Sequence, residues 1–278
     1  SISGRSGSIT IGGGAGGKVA VSGKLNVASR RGKGGKVTVT GRDIALQGAT
    51  INASGKTGGG DVRIGGDWQG RGSLQRADTT SVDATTTIKA DARDNGDGGS
   101  VVVWSDLLTS FAGAISARGG SVSGNSGDAE VSGMAVLAYT GSADLSAPKG
   151  AFGTLLLDPY NITISDAPNS GSGLVSGVMA PNQTSNINIA TLTAALATAN
   201  VRLSTGAAAS PGGDAGNITL SSALSWDSSA TLTLQAANNV SLNAPITAAA
   251  GGLTLDAGNT ITATGDIALA RFTLQRGN

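Results

Sequence analysis

The sequence predicts an all-β fold, a β-solenoid whose coils stack strand on strand in parallel, and three observations predict it. Between Ala230 and Leu269 six short groups recur: Leu232-Thr233-Leu234, Val240-Ser241-Leu242, Ile246-Thr247-Ala248, Leu253-Thr254-Leu255, Ile261-Thr262-Ala263 and Ile267-Ala268-Leu269. Their first residues are 8, 6, 7, 8 and 6 apart, so a triplet of strands returns after 21 residues. Each group alternates apolar with small or polar residues, the period-2 signature of a strand with one buried face. The groups are separated by Asn238-Asn239, Asn243-Ala244-Pro245, Gly251-Gly252, Gly258-Asn259 and Gly265-Asp266, read as sharp corners whose residues tolerate φ > 0. Three strands and three corners make one coil, and stacking buries its apolar face.

In chain order, residues 1–158 carry a looser version with longer coils. A Gly-rich corner followed by an alternating strand recurs as Gly16-Gly17-Lys18-Val19, Gly34-Gly35-Lys36-Val37, Gly59-Gly60-Asp61-Val62 and Gly98-Gly99-Ser100-Val101, with echoes at Gly127-Asp128-Ala129-Glu130-Val131 and Gly153-Thr154-Leu155. The valines are read as equivalent strand starts on successive coils. Inside each coil a second motif places an apolar residue two positions before an alanine, as in Ile51 and Ala53, Ile88 and Ala90, Ile115 and Ala117, and Leu145 and Ala147, which suits a narrow core. Asp67 to Thr87 is the expected site of an insertion. Residues 159–216 connect the two regular regions through loops around 167–177 and 207–216, strands at 161–164 and 186–189, and a short helix at 191–199. In that helix Leu192, Ala195, Leu196 and Ala199 share one face. Residues 217–278 hold the regular coils. The first residues, Ser1-Ile2-Ser3-Gly4, read as the middle of a coil, so the chain is expected to be a segment of something longer.

Composition narrows the function. The 278 residues include 45 Gly, and charged residues are 13% of the chain with a net charge of +1. That is about half the usual charged fraction. A nearly neutral chain lacks the concentrated basic face that phosphate backbones require, so no nucleic-acid partner is expected. Cysteine and histidine are both absent. Disulfides, thiolate metal sites, Ser-His-Asp and Cys-His catalysis are therefore closed to this chain.

The repeated Gly-Gly-Lys-Val-Thr-Val strands, the Ala53-Ser54-Gly55 corner, the phrase from Gly153-Thr154-Leu155-Leu156-Leu157-Asp158-Pro159 to Asn161-Ile162-Thr163-Ile164, and the run from Ala230 to Ala248 resemble two-partner-secreted exoproteins of the filamentous haemagglutinin family. The resemblance covers most of the chain. It implies a right-handed parallel β-helix, exported by a Gram-negative bacterium through an outer-membrane transporter of the two-partner type, and located outside the cell or on its surface. It also implies a role in adhesion, aggregation or biofilm formation. The Asn-Pro-Asn motifs of the family's secretion domain are not found here. A chain threaded unfolded through a pore suits zero cysteines, and coil-on-coil stacking supplies a route to folding outside.

On this reading the chain is a non-enzymatic rigid spacer with no cofactor and no metal. The Asp91, Asp94, Asn95 and Asp97 corner matches no calcium-loop spacing. Arg30, Arg31, Lys33 and Lys36 form the dense basic cluster and are the candidate contacts for surface glycans or polysaccharide, with Trp68 a candidate stacking platform. End-to-end self-association is a further expectation, since β-helix ends leave open strand edges. The alternatives are a carbohydrate-active β-helix enzyme, with Asp61, Asp67, Arg63 and Lys36 as its candidate site, and the stalk of a two-partner-secreted toxin. Asn-X-Ser/Thr triplets such as Asn161-Ile162-Thr163 and Asn217-Ile218-Thr219 are read as a by-product of asparagine corners preceding strands.

Overall fold

Alternation turns every second side chain of each short group inward, and in the computed structural model those inward residues stack into columns. The structure describes residues 2–3, 7–170, 174–175, 178–179, 184–206 and 215–277; most of the loop expected at 207–216, parts of that at 167–177, and Ser1 and Gly4 lie outside them. The fold is a parallel β-helix. Its long sheet runs through Ser8–Gly12, Lys36–Thr40, Asp61–Ile64, Ser100–Ser105, Asp128–Gly133, Thr154–Leu157, Asn200–Ser204 and Thr231–Ala236 into the second halves of Ile246–Ala257 and Ile267–Arg276. Every neighbouring pair in it is parallel. A second sheet stacks Lys18–Val21, Asp43–Leu46, Thr79–Val82, Leu108–Phe111 and Val136–Tyr139, and a third runs from Ile2–Ser3 to Ser142–Asp144.

Two columns of the long sheet form one wall of the core: Val37, Val62, Val101, Ala129, Leu155, Val201, Leu232 and Leu253, then Val39, Ile64, Val103, Val131, Leu157, Leu203, Leu234 and Leu255. All are buried. Each large member stabilises the fold by about 1.5–3 kcal/mol relative to exposure. On the last coil the columns continue to Phe272 and Leu274, which are 55% and 56% exposed.

The 21-residue repeat is real: Leu232 pairs with Leu253, Val240 with Ile261 and Ile246 with Ile267. The valine count in the first half is corrected. Val19 belongs to the second sheet, where it pairs with Ile44, and the residue beneath Val37 is Ile9. Two alternating strands per coil share one motif, so sequence alone merged two faces into one. The insertion lies between Ile64 and Thr79, within a shorter span than expected.

The glycine corners of the first half have a cause in the stacking itself. Gly35, Gly60, Gly99, Gly127 and Gly153 stack above one another with φ outside the left-handed region. A Cβ on Gly127 would lie 1.8 Å from the carbonyl oxygen of Gly99, so these positions are glycine because successive coils approach too closely for a side chain. Each of these glycines also closes its own coil, donating its N–H to the carbonyl of Val27, Ala53, Ala90, Ala117 or Leu145. That explains the second motif: the residue facing this closure is small in three coils out of five. In the fifth coil the order is exchanged, with Ala143 under Ile115 and Leu145 taking the place of Ala117.

At the sixth coil the regular path is interrupted. Ser185–Asn188 pairs with Ile162–Ser165, and the Leu137 N–H donates to Ser185 Oγ at 3.0 Å, so an extra strand is wedged between the fifth and sixth coils. The helix follows at once, over Ile189–Leu196 rather than 191–199. Asn188 stays extended and caps it, accepting the Ala190 N–H at 2.8 Å. It ends early because Thr198 is tied to the preceding coil, its hydroxyl donating to Ala143 O and its carbonyl accepting from Leu145 N–H. The face expected to pack, Leu192, Ala195, Leu196 and Ala199, is the buried one.

Candidate ligand groove on the long sheet

The outward-facing residues of a sheet in a solenoid are normally solvated, yet near the middle of the long sheet they are buried. Val102, Glu130, Leu156 and Arg202 form one outward rank on successive coils, the first three buried and Arg202 half-buried. The cover is the insertion after Ile64. Its short 3₁₀ turn, Trp68–Gly70, is capped by Asp67, whose carboxylate accepts the Trp68 N–H at 2.9 Å. The turn lies against Trp104; Gly66 and Gly70, at φ 157° and 62°, leave room for the indole where a Cβ would collide with it. Gln69 is held at φ 53°, a left-handed conformation costly for a residue with a side chain. Its N–H donates to Glu130 Oε2 at 2.8 Å, which ties the strained turn to the sheet.

Beside this cover runs a half-open groove of about 640 Å³, between Gln69 and Arg71 of the insertion and Asp158, Arg202, Ser204, Gln235 and Arg276 of successive coils. Along its floor a polar chain is passed from coil to coil. Arg202 donates to Gln235 Oε1, Gln235 Nε2 donates to Asp256 Oδ2 at 3.0 Å, and Arg276 Nε donates to Asp256 Oδ1 at 2.6 Å. The hydrogen bond from Arg276 holds Asp256 below the usual carboxylate range.

Two other carboxyls behave oppositely. Burial pushes Glu130 up to about 7 against the opposing Gln69 N–H, and burial pushes Asp158 up to about 6 against the Ser204 hydroxyl and the charges of Arg202 and Arg71. Glu130 Oε1, Asp158 Oδ1 and Arg202 Nε are sealed from solvent without a hydrogen-bond partner among the described residues. Unmet groups of this kind cost stability; Asp158 and Arg202 line the groove, and Glu130 lies beside it under the Gln69 turn.

The residues singled out from sequence are not gathered here. Arg30, Arg31 and Lys33 are exposed in the corner before Lys36–Thr40, and Lys36 is exposed at the start of that strand. Trp68 is half-buried beyond the opposite end of the strands, so the five do not form one surface. Asp61, Arg63 and Asp67 do meet. Arg63 lies 3.7 Å from Asp61 and 3.0 Å from Asp67, with Lys36 in register beside Asp61. Burial raises Asp67, but the Trp68 N–H and Arg63 outweigh it and hold it low, leaving an ion-pair network without a proton donor.

The acidic corner is spent on joining coils. Asp91 accepts from Ser116 Oγ and Arg118 N–H, Asp97 from Asn125 N–H, and Asp94 pairs with Lys56 at 3.6 Å. Among the described residues no three acidic side chains converge to hold a metal.

Glu130, Asp158 and Arg202 were not singled out from sequence. The available signal was slight: a charged residue in the outward slot of an otherwise apolar strand, and one of only three cations after residue 158. No protein-family model matches the chain, and no curated protein matches it.

Proposed function

We propose that this chain is a rigid structural segment of a large secreted bacterial surface adhesin or fibre, acting as a spacer in attachment, aggregation or biofilm formation. The observation that carries the reading is the continuity of the long sheet, parallel from Ser8 to Arg276 across every coil. About ten coils spaced by roughly 4.8 Å give a rod on the order of 45 Å long, a geometry suited to holding other parts at a distance. Export through a two-partner outer-membrane transporter fits the absence of cysteine, because stacking alone joins the coils. End-to-end association belongs to the same reading: Phe272 and Leu274 present the core columns to a second copy.

Cells displaying the chain on their outer surface are expected to gain attachment or aggregation over cells displaying a globular domain of equal length. A shortened chain lacking residues 232–252, one full coil, is expected to fold and to give a proportionately shorter rod by small-angle scattering. No gain in attachment overturns the adhesive role, and a compact scattering envelope overturns the spacer.

A further inference from the structure

Beyond the spacer role, we infer that the groove beside the 65–77 insertion is a binding site for an acidic oligosaccharide lying along the axis of the β-helix. The direction follows from topology. Ser204, Gln235, Asp256 and Arg276 stand at successive levels of one outward rank, with Asp158 one coil before Ser204, so the groove crosses strands and runs from coil to coil. A linear ligand fits that path.

The class follows from the lining. Arg276 is paired with Asp256 beneath the groove, which leaves Arg71 and Arg202 facing it against Asp158. The excess cation favours an anion. The remaining polar lining, Ser204, Thr205, Gln69 and Gln235, offers hydroxyl and amide groups that both donate and accept, as sugar hydroxyls require. Asp158 has its Oδ1 unpaired and Arg202 its Nε, so acceptor and donor capacity are both unspent just beneath the groove surface. Arginine serves a carboxylate or sulfate in a planar, paired geometry.

A peptide is disfavoured by the same surface. The floor is the face of a sheet whose backbone groups are spent in its own ladder, so strand addition is closed.

The test is titration calorimetry of the intact chain at physiological salt with a tetrasaccharide of uronic acids, its neutral counterpart and a tetraglutamate peptide. The acidic sugar is expected to bind at least tenfold more tightly than the other two. Arg71→Gln, which changes an exposed side chain and leaves the fold intact, is expected to weaken it at least tenfold. Asp158→Asn keeps an oxygen acceptor and removes the groove's opposing charge, and is expected to tighten binding of the acidic sugar while raising the melting temperature. Changing Arg30, Arg31 and Lys33 to Ser is expected to leave binding unchanged. Absence of binding, equal binding of the neutral sugar or the peptide, or binding lost with Arg30, Arg31 and Lys33 but kept in Arg71→Gln overturns the inference.

Discussion

The first five coils and the last three solve the same problem by opposite means. Stacked coils must pass one another at their corners without leaving backbone groups unpaired. In the first region the corner before the long sheet removes side chains: Gly35, Gly60, Gly99, Gly127 and Gly153 stand in one column, each against the carbonyl of the coil before it. In the last region the corner before the next sheet adds them. Asn161 Oδ1 accepts the Asn217 N–H at 2.7 Å, Asn217 Oδ1 accepts the Asn239 N–H at 3.1 Å, and Asn239 Oδ1 accepts the Thr260 N–H at 3.1 Å. Between rungs Asn238 and Asn259 donate their side-chain amides to Asn217 and Asn239. A glycine column tolerates long excursions between strands, because the coil closes on itself before looping out. An asparagine ladder joins each corner to its neighbour and suits short coils of equal length.

The largest expected effect breaks the glycine column. In Gly127→Ala the new Cβ meets the Gly99 carbonyl at 1.8 Å, and that neighbour is backbone with no freedom to swing away. A loss of about 3 kcal/mol or more is expected in urea denaturation. Gly16→Ala is the control, since nothing lies within 4 Å of the added carbon. It is expected to be neutral or to stabilise by up to about 1 kcal/mol. Equal losses at both sites would show that the column is not set by close approach.

This contrast also explains how far the sequence could be read. Period-2 groups fixed the parallel β-helix, the 21-residue coil and the buried face of the helix, because those depend on which residues face inward. The triplets Asn161-Ile162-Thr163 and Asn217-Ile218-Thr219 were legible as corners for the same reason: ladder asparagine, inward isoleucine, outward threonine. Which coil neighbours which was not legible in the first half, because strands on two different faces begin with Lys-Val, as Val19 and Val37 do. The groove was hidden for a different reason. Glu130 and Asp158 stand in outward slots that a solenoid normally exposes, and the insertion after Ile64, distant in sequence, covers Glu130 through the Gln69 turn and brings Arg71 to the groove that Asp158 lines.

The second effect concerns the join between the two regions, where those carboxyls lie. Glu130 rises from 4.5 to about 7 on folding and Asp158 from 3.8 to about 6, both through burial. Between about pH 4 and pH 7 the folded chain therefore binds more protons than the unfolded one, and stability falls as pH rises through that window. The chain is expected to be less stable at pH 8 than at pH 5 by on the order of 2–3 kcal/mol, with no further loss from these two groups at higher pH. Glu130→Gln is expected to raise the melting temperature at pH 8 and to remove much of the slope. A flat profile from pH 5 to 8 would mean that neither carboxyl is proton-linked to folding.

The ladder comes third. Asn217→Ala removes the acceptor for the Asn239 N–H and the Asn238 amide together, with an expected cost of about 2 kcal/mol. Asn217→Asp keeps an acceptor in place and is expected to cost less than half as much. If Asp and Ala are equally damaging, the ladder is a matter of shape and not of hydrogen bonding.

The smallest effect separates the regions by charge. Residues 1–158 hold 16 of the 19 Lys and Arg and 13 of the 18 acidic residues, so the first region looks as though ion pairs hold it together. At the acidic corner the geometry argues otherwise. Lys56 and Asp94 meet at 3.6 Å with about half of each side chain exposed, and Arg118 reaches Asp91 and Asp144 only at 3.5 and 3.9 Å. Solvent screens such pairs, and fixing two long side chains offsets most of what remains. Lys56→Ser is therefore expected to change the denaturation midpoint by no more than about 0.5 kcal/mol, and added salt should not alter that difference. A loss above 1 kcal/mol that vanishes in high salt would move the stabilising role of the first region from its glycines to its charges.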